Sequence, residues 1–270
     1  MKGWLIYDAK GAERNKWFIN RLTNCCKAVN IDLQLVLCDD GITADVLPEL
    51  AIVRAIAPDV NKMLEDNGVR VFNNYLTSSV ANDKWQTFLL CQELGIPVMS
   101  TQDDSSVLNL NNFPYVVKSC DGHGGSEVFM AGDMDEFRRI DVLFRSAGKR
   151  YVVQRPCTDL GKDMRLYMLG GKVAASVLRY NPGSFKSNYS LGGSAQAVTP
   201  CDYQLQIAEQ IYRRLNCDYV GIDFVMDNGK WVVNEIEDAA GARMLYAATN
   251  LDIASMLARY VSNVMSKFRR

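Results

Sequence analysis

The sequence predicts a small α/β domain followed by an α+β body. Up to about Asn74, short apolar runs alternate with segments whose apolar residues recur at helical spacing, the pattern of a small parallel, doubly wound sheet. Beyond Ser79, amphipathic helices mix with paired apolar runs separated by turn residues, which read as antiparallel hairpins. The chain has 270 residues and is 48% hydrophobic, long enough for a buried core in one to three subdomains. The expected division is 1–78 for the N-terminal α/β domain, 79–153 for a central unit and 154–270 for a C-terminal unit.

"GWLIYD" is a strand candidate, and "NKWFINRLTNCCKAV" has helical spacing, with Cys25-Cys26 on its apolar face. "LQLVLCD" and "AIVRA" are two further strands. "PDVNKMLEDNG" reads as a helix ended by Gly68, before the strand "VRVFN". "SVANDKWQTFLLCQELGIP" is expected as one amphipathic helix closed by Gly95 and Pro97, with Trp85, Phe88 and Leu89 in its core. "FPYVVKSCDGHGGSEVFM" reads as strand, glycine-rich loop and strand. The helical "DMDEFRRIDVLFRSAG" and the strand "RYVVQRP" follow. "DMRLYMLGGKVAASVLRY" is a hairpin around Gly170-Gly171. A polar loop, the helix "DYQLQIAEQIYRRLN", a second hairpin and the helix "DIASMLARYVSNVMSKF" complete the chain.

The 30 basic and 31 acidic residues leave a net charge of −1, which gives no case for a nucleic-acid partner or a membrane surface. Local arginines can still hold an acidic substrate. No apolar run approaches the ~18 residues of a membrane span, and "MKGWLIYDAKG" does not read as a signal peptide. Eight cysteines without a CxxC pair, and a single histidine, argue against zinc. Buried, reduced thiols in a cytoplasmic protein are the expectation.

Asp223, Glu235 and Glu237 interrupt the second hairpin, "VGIDFVMDNGKWVVNEIED". Acidic residues beside a turn ordinarily mark a solvated edge. Here Glu235 and Glu237 share a strand face, and Ile222, Phe224, Val232, Val233 and Ile236 around them are apolar. Carboxylates grouped in such a place need a cation, and oxygen ligands without histidine point to Mg²⁺ or Mn²⁺. Strand alternation adds a condition. A two-residue turn at Asn228-Gly229 would set Asp223 opposite Asn234 and away from Glu235, so a metal site here requires an odd-numbered loop.

Lys118 ends an apolar strand and is followed by "SCDGHGGSE". Backbone N–H groups in such a loop can approach phosphates, with the lysine as a compact charge. An ordinary hairpin turn is the plainer reading. The lysine precedes the glycines and no GK[ST] follows, so this is not a Walker A loop, and no G-x-G-x-x-G occurs. His123, without a second histidine or a cysteine partner, reads as a loop residue.

Six motifs in order, "ANDKWQTFLLCQELGIPV", "PYVVKSCDGHGG", "VVQRP", "GKDMRLYMLGGKVAAS", "GSFKSNYSLGG" and "GIDFVMDNGKWVVNEIEDAAG", resemble the ATP-grasp superfamily and, within it, the RimK-type branch of ribosomal-protein glutamate ligases and related amino-acid ligases. The resemblance runs from about Val71 to Ile253. It implies a pre-ATP-grasp N-terminal domain and two ATP-grasp subdomains clamping ATP between antiparallel sheets. Lys118 would contact the nucleotide phosphates, with Lys84 as a second charge. Gln154, Arg155 and Cys157 would form the adenine hinge, read through the Arg155 carbonyl and the Cys157 N–H because Pro156 has none. Asp163 matches the ribose position, and Lys186, Ser187 and Asn188 match an Arg-Ser-Asn nucleotide contact. Asp223, Glu235 and Glu237 fall on the metal positions, implying two Mg²⁺ or Mn²⁺ ions. Four positions depart from the branch: Glu237 replaces Asn, Ala239-Ala240-Gly241 replaces Ser-Pro-Gly, Glu127 replaces a loop glycine and Lys186 replaces Arg.

The chemistry implied is amide formation from a carboxylate and an amine through an acyl phosphate, with release of ADP and phosphate. Such a site positions reactants and neutralises charge without a protein nucleophile. Arg165, on the strand face of Asp163, is the candidate for an anionic substrate or the transferred phosphate. Arg243 and Arg54 are candidates for a substrate carboxylate, with surface ion pairs as the alternative. Tyr189 and Ser190 are candidates for the acceptor. The implied partners are ATP, an amino-acid carboxylate and an amine on an amino acid, peptide or protein. ATP-grasp ligases are often dimers or tetramers, so a homo-oligomer is one expectation. The competing readings are a non-catalytic ATP-binding module and a phosphotransferase acting on a hydroxyl.

Overall fold

The computed structural model describes residues 1–39, 41–42, 46–104, 111–185 and 194–268. The first sheet is parallel, in the order β2 (Asp32–Leu37), β1 (Lys2–Tyr7), β3 (Leu50–Val53), β4 (Arg70–Phe72). Between its strands run α1 (Ala9–Arg14), α2 (Lys16–Lys27) and α3 (Pro58–Asp66). Strands β1 and β3 are buried on both faces, which explains their unbroken apolar runs. This agrees with the expected doubly wound start.

The expected single helix over 79–97 is two. Helix α4 (Tyr75–Ala81) stops at Asn82, and α5 (Lys84–Glu93) starts afresh with Asp83 as its N-cap, accepting from the N–H groups of Trp85 and Gln86. A short polar side chain can take those N–H groups only from an extended backbone, so the cap breaks the helix. The break has a use, since it sets the Lys84 N–H on the Cys120 carbonyl at 2.9 Å, beside the glycine loop. The core assignment for this helix also changes. Thr87, Leu90 and Cys91 are buried, Trp85 and Phe88 stack with ring centres 5.2 Å apart while half-buried, and Leu89 is exposed.

Two antiparallel sheets follow. The first has the order β5 (Thr101–Asp103), β8 (Tyr151–Gln154), β6 (Tyr115–Ser119), β7 (Val128–Ala131) and carries α6 (Met134–Ser146) on one face. The second has the order β11 (Ser194–Ala197), β10 (Lys172–Tyr180), β9 (Lys162–Leu169), β12 (Tyr219–Asp227), β13 (Lys230–Glu237). Alternation on β9 and β12 divides their side chains. Met164, Leu166, Met168, Ile222 and Phe224 pack with α5 and with α7 (Asp202–Leu215), leaving Asp163, Arg165 and Asp223 to the opposite face. Tyr167 and Tyr219 join a core built from the first sheet, α2, α8 (Arg243–Ala248) and α9 (Ile253–Phe268).

Asn73 ties the first sheet to the last. Its amide nitrogen donates to the Asp238 carboxylate (2.6 Å) and the Tyr219 carbonyl (2.7 Å), and its oxygen accepts from the N–H groups of Asp218 and Tyr219. All these groups are buried, so each bond replaces one that water would have made. Asn73→Ala should lower stability by about 3 kcal/mol, read as an earlier urea midpoint with an unchanged slope.

Candidate active site

A cleft of about 820 Å³, counting its open mouth, is lined from both antiparallel sheets, a size usual for small-molecule sites. Met99, Val116, Val128, Leu160 and Val225 give it apolar walls, Gly122, Gly124 and Gly125 form one edge, and Gln154 to Cys157 cross the back. Lys84, Lys118 and Glu235 make its charged end. The combination suits a flat apolar ring at one end and an anion at the other.

The hairpin of β12 and β13 turns in two residues, with Asp227 paired to Lys230. The odd-numbered loop expected from strand parity is therefore absent. Parity is restored in another way. The register shifts between Asp223 and Phe224, so Phe224 faces Val233, Asp223 faces Glu235, and Asn234 is the extra residue of a β-bulge. The bulge turns Asn234 into the cleft, where its Oδ1 accepts from the Lys118 ammonium at 2.8 Å.

Charges cross the sheet in a row. The Arg165 guanidinium donates to both oxygens of Asp223 at 2.6 Å and also to Glu237. The Arg179 guanidinium donates to both oxygens of Asp163 and, at 2.6 Å, to Asp223. Gly221 makes room for this, because a Cβ there would lie 3.1 Å from the Arg165 side chain. Burial raises the Asp223 carboxyl, but the two guanidiniums overcome it and hold the group at about 2. Burial pushes Glu237 up, and Asp223 and Glu235 add to this against Arg165. Lys84 lies 3.5 Å from Glu235, whose carboxyl is held down by the two lysines in spite of burial. Burial pushes the Lys118 ammonium down to about 8, opposed by Glu235 and reinforced by Lys84.

Of the residues singled out in the sequence, Lys84, Lys118, Gln154, Arg155, Cys157, Asp163 and Glu235 line this one cleft. The Arg155 side chain leaves it, capping the carbonyls of Asn111 and Asn112 and covering the Tyr115 ring at 4.2 Å, so only its backbone faces inward. The Gln154 amide nitrogen is engaged by Thr101 at 2.8 Å. Asp163 is paired with Arg179, so a ribose contact there would share the carboxylate with a guanidinium. Arg165, Asp223 and Glu237 stand beside the cleft in the ionic row. Among the described residues no three acidic, histidine or cysteine side chains are grouped as a cation site, since guanidiniums sit between the carboxylates. Arg243 is elsewhere, at the start of α8 with its guanidinium on the Arg14 carbonyl at 2.6 Å. Lys186, Ser187, Asn188, Tyr189 and Ser190 lie outside the described residues. Glu127 points away, paired with Lys149. Arg179 and Asn234 were missed by the sequence reading. Arg179 shows no signal beyond strand alternation, whereas the parity conflict at Asn234 was the sign of a bulge.

The RimK-like ATP-grasp domain model matches residues 81–261. The chain belongs to the RimK-like ATP-grasp family. Human N-acetylaspartylglutamate synthase A is 31% identical to this ATP-grasp protein over 238 residues, covering 81% of the chain and 61% of the relative. Human beta-citrylglutamate synthase B is 27% identical over 308 residues, covering 99% and 79%. The chain thus spans about three fifths of the first relative's length. A RimK domain ATP-grasp protein of Sphaerobacter thermophilus superposes with a TM-score of 0.73 at 19% identity, covering 97% of this chain and 99% of that one. The fold implies ATP use and typically Mg²⁺. ATP-dependent joining of a carboxylate to an amine is the chemistry these comparisons support.

Lys118 can pair with a triphosphate only while protonated. Its ammonium is charged below about 8 and loses its proton above. ATP affinity should therefore fall as pH rises past that point, by up to about tenfold per unit, with proton uptake on binding. Calorimetry in buffers of different ionisation heat reads both, and Lys118→Arg, which stays charged, should flatten the profile.

Proposed function

We propose that this chain joins an amino acid to an amine-bearing substrate through an acyl phosphate, releasing ADP and phosphate. The observation that carries the reading is the convergence of Lys84, Lys118, the bulge at Asn234 and Glu235 at one end of a cleft whose other end is a backbone hinge. Lys118 and Lys84 would draw the terminal phosphates of ATP to that end, with the purine between the apolar walls and the backbone of residues 155–157. The glycine loop lets backbone approach the phosphates without side chains in the way.

Glu235, with Glu237 and Asp223, would hold the divalent cation. Their donors are all carboxylate oxygens, which suit Mg²⁺ or Mn²⁺. The ion supplies neutralisation and orientation of the phosphates. Arg165 and Arg179 sit where negative charge gathers, and either can turn part of its hydrogen bonding from Asp223 to an anionic intermediate. The names of both human relatives contain glutamate, which makes glutamate our first choice for one substrate. Two bound ions and a homo-oligomer remain part of the proposal.

ADP release from purified protein with Mg²⁺-ATP should depend on a particular pair of carboxylate and amine. Glu235→Ala should lower it by at least about a hundredfold while leaving the thermal midpoint near that of the wild type. Release that is independent of any amine would overturn the ligase reading.

A further inference from the structure

Asn234 reaches the nucleotide cleft through the backbone. On a regular strand it would point to the face opposite Glu235. The bulge facing Asp223 adds one residue to β13, and Asn234 and Glu235 then both line the cleft. The bulge is pinned from its outer edge. The Val233 N–H donates to the Pro97 carbonyl at 2.9 Å, and the Val233 carbonyl accepts from the Met99 N–H at 3.0 Å. Asn234 is therefore held between the two antiparallel sheets, facing Lys118 of β6.

Its amide has one orientation. A lysine ammonium carries three donors and no acceptor, so the atom 2.8 Å from Lys118 Nζ is the carbonyl oxygen, Oδ1. The amide nitrogen then points away from Lys118, and among the described residues nothing accepts from it. Nδ2 is not sealed from solvent, so it opens on the cleft that Asn234 lines. Nζ and Nδ2 lie within about 5 Å of each other, given the 2.8 Å bond and the dimensions of an amide. Two donors at that spacing suit two oxygens of one phosphate group. We infer that Asn234 binds phosphate in the reaction, its Nδ2–H donating to an oxygen of the nucleotide's phosphate chain while Oδ1 holds Lys118. The inference rests on the ATP-dependent ligase reading and adds to it a phosphate contact supplied by the bulge. The choice of side chain follows. An amide passes donor character from the ammonium to the anion without adding charge, each bond polarising the next. A carboxylate at 234 would keep the contact with Lys118, but it would cancel that charge and turn lone pairs toward the phosphate.

The side-chain amide of Asn234 gives a pair of ¹H–¹⁵N resonances readable without turnover and identified by their loss in Asn234→Asp. Mg²⁺ with the β,γ-methylene analogue of ATP would be titrated into labelled wild-type protein, and adenosine into a second sample. The analogue should move one of the two Nδ2 protons downfield and slow its exchange with water, while adenosine moves neither. In calorimetry, Asn234→Asp and Asn234→Leu should each weaken binding of the analogue by about tenfold to a hundredfold and leave that of adenosine unchanged. Asp keeps an oxygen for Lys118, so wild-type affinity in Asn234→Asp would overturn the inference. Shifts at the backbone amides of Gly124 and Gly125 without any change at Nδ2 would also overturn it, and would leave the ligase reading standing. Analogue binding that moves neither the loop nor Asn234 would overturn the inference together with the placement of ATP in this cleft.

Discussion

Asp223 can be buried as an anion only because two guanidiniums close on it, and much of the C-terminal half is arranged to let them. An uncompensated charge at this depth would cost several kcal/mol. Pairing it needs β9 and β10 on one side of β12 in a fixed register, with Arg165 opposite Asp223 and Arg179 opposite Asp163. It needs a glycine at 221 where the Arg165 side chain crosses the strand. The bulge at Asn234 then brings Glu235 to the same face, which it would otherwise leave for the apolar side. Each requirement is a matter of backbone, and none is negotiable by rotamer changes alone.

The same row explains why a nucleotide would bring its own counter-ion. Lys84, Lys118, Arg165 and Arg179 face Asp163, Asp223, Glu235 and Glu237, so the protein's charges at the cleft already balance. A triphosphate adds negative charge to a balanced set. A dication carried in with it keeps the balance, whereas the phosphates alone would have to strip guanidiniums from carboxylates. Burial loosens the proton on Lys118, and an arriving anion would hold it there.

Much of this was legible in the residues. The parallel first sheet was legible because β1 and β3, buried on both faces, read as unbroken apolar runs, the hairpins because apolar runs meet at turn residues, and the helices from their apolar spacing. The cleft residues were legible through motif order. The single helix expected over 79–97 failed because Asn82 and Asp83 look like solvated helix positions until a buried contact to Asp238 claims the first and the local cap on the α5 N-terminus claims the second. The turn parity failed because a bulge adds one residue without any turn signal. Arg179 was invisible for a simpler reason: an arginine on a hairpin strand reads as facing solvent, and only the sheet order reveals that β12, with Asp223, lies on the far side of β9 within its reach.

The last helix sits on the first domain. Residues of α9 share one core with β1, α2 and β3, and the Tyr260 hydroxyl reaches the same Asp218 carboxylate that Arg70 holds. The two chain ends are therefore locked together across the fold. For protein engineering this sets the unit of exchange. An N-terminal segment grafted from a relative would arrive facing a foreign helix, so a working chimaera has to carry two pieces, the first 70 or so residues and the segment from 253 onward, as a matched pair.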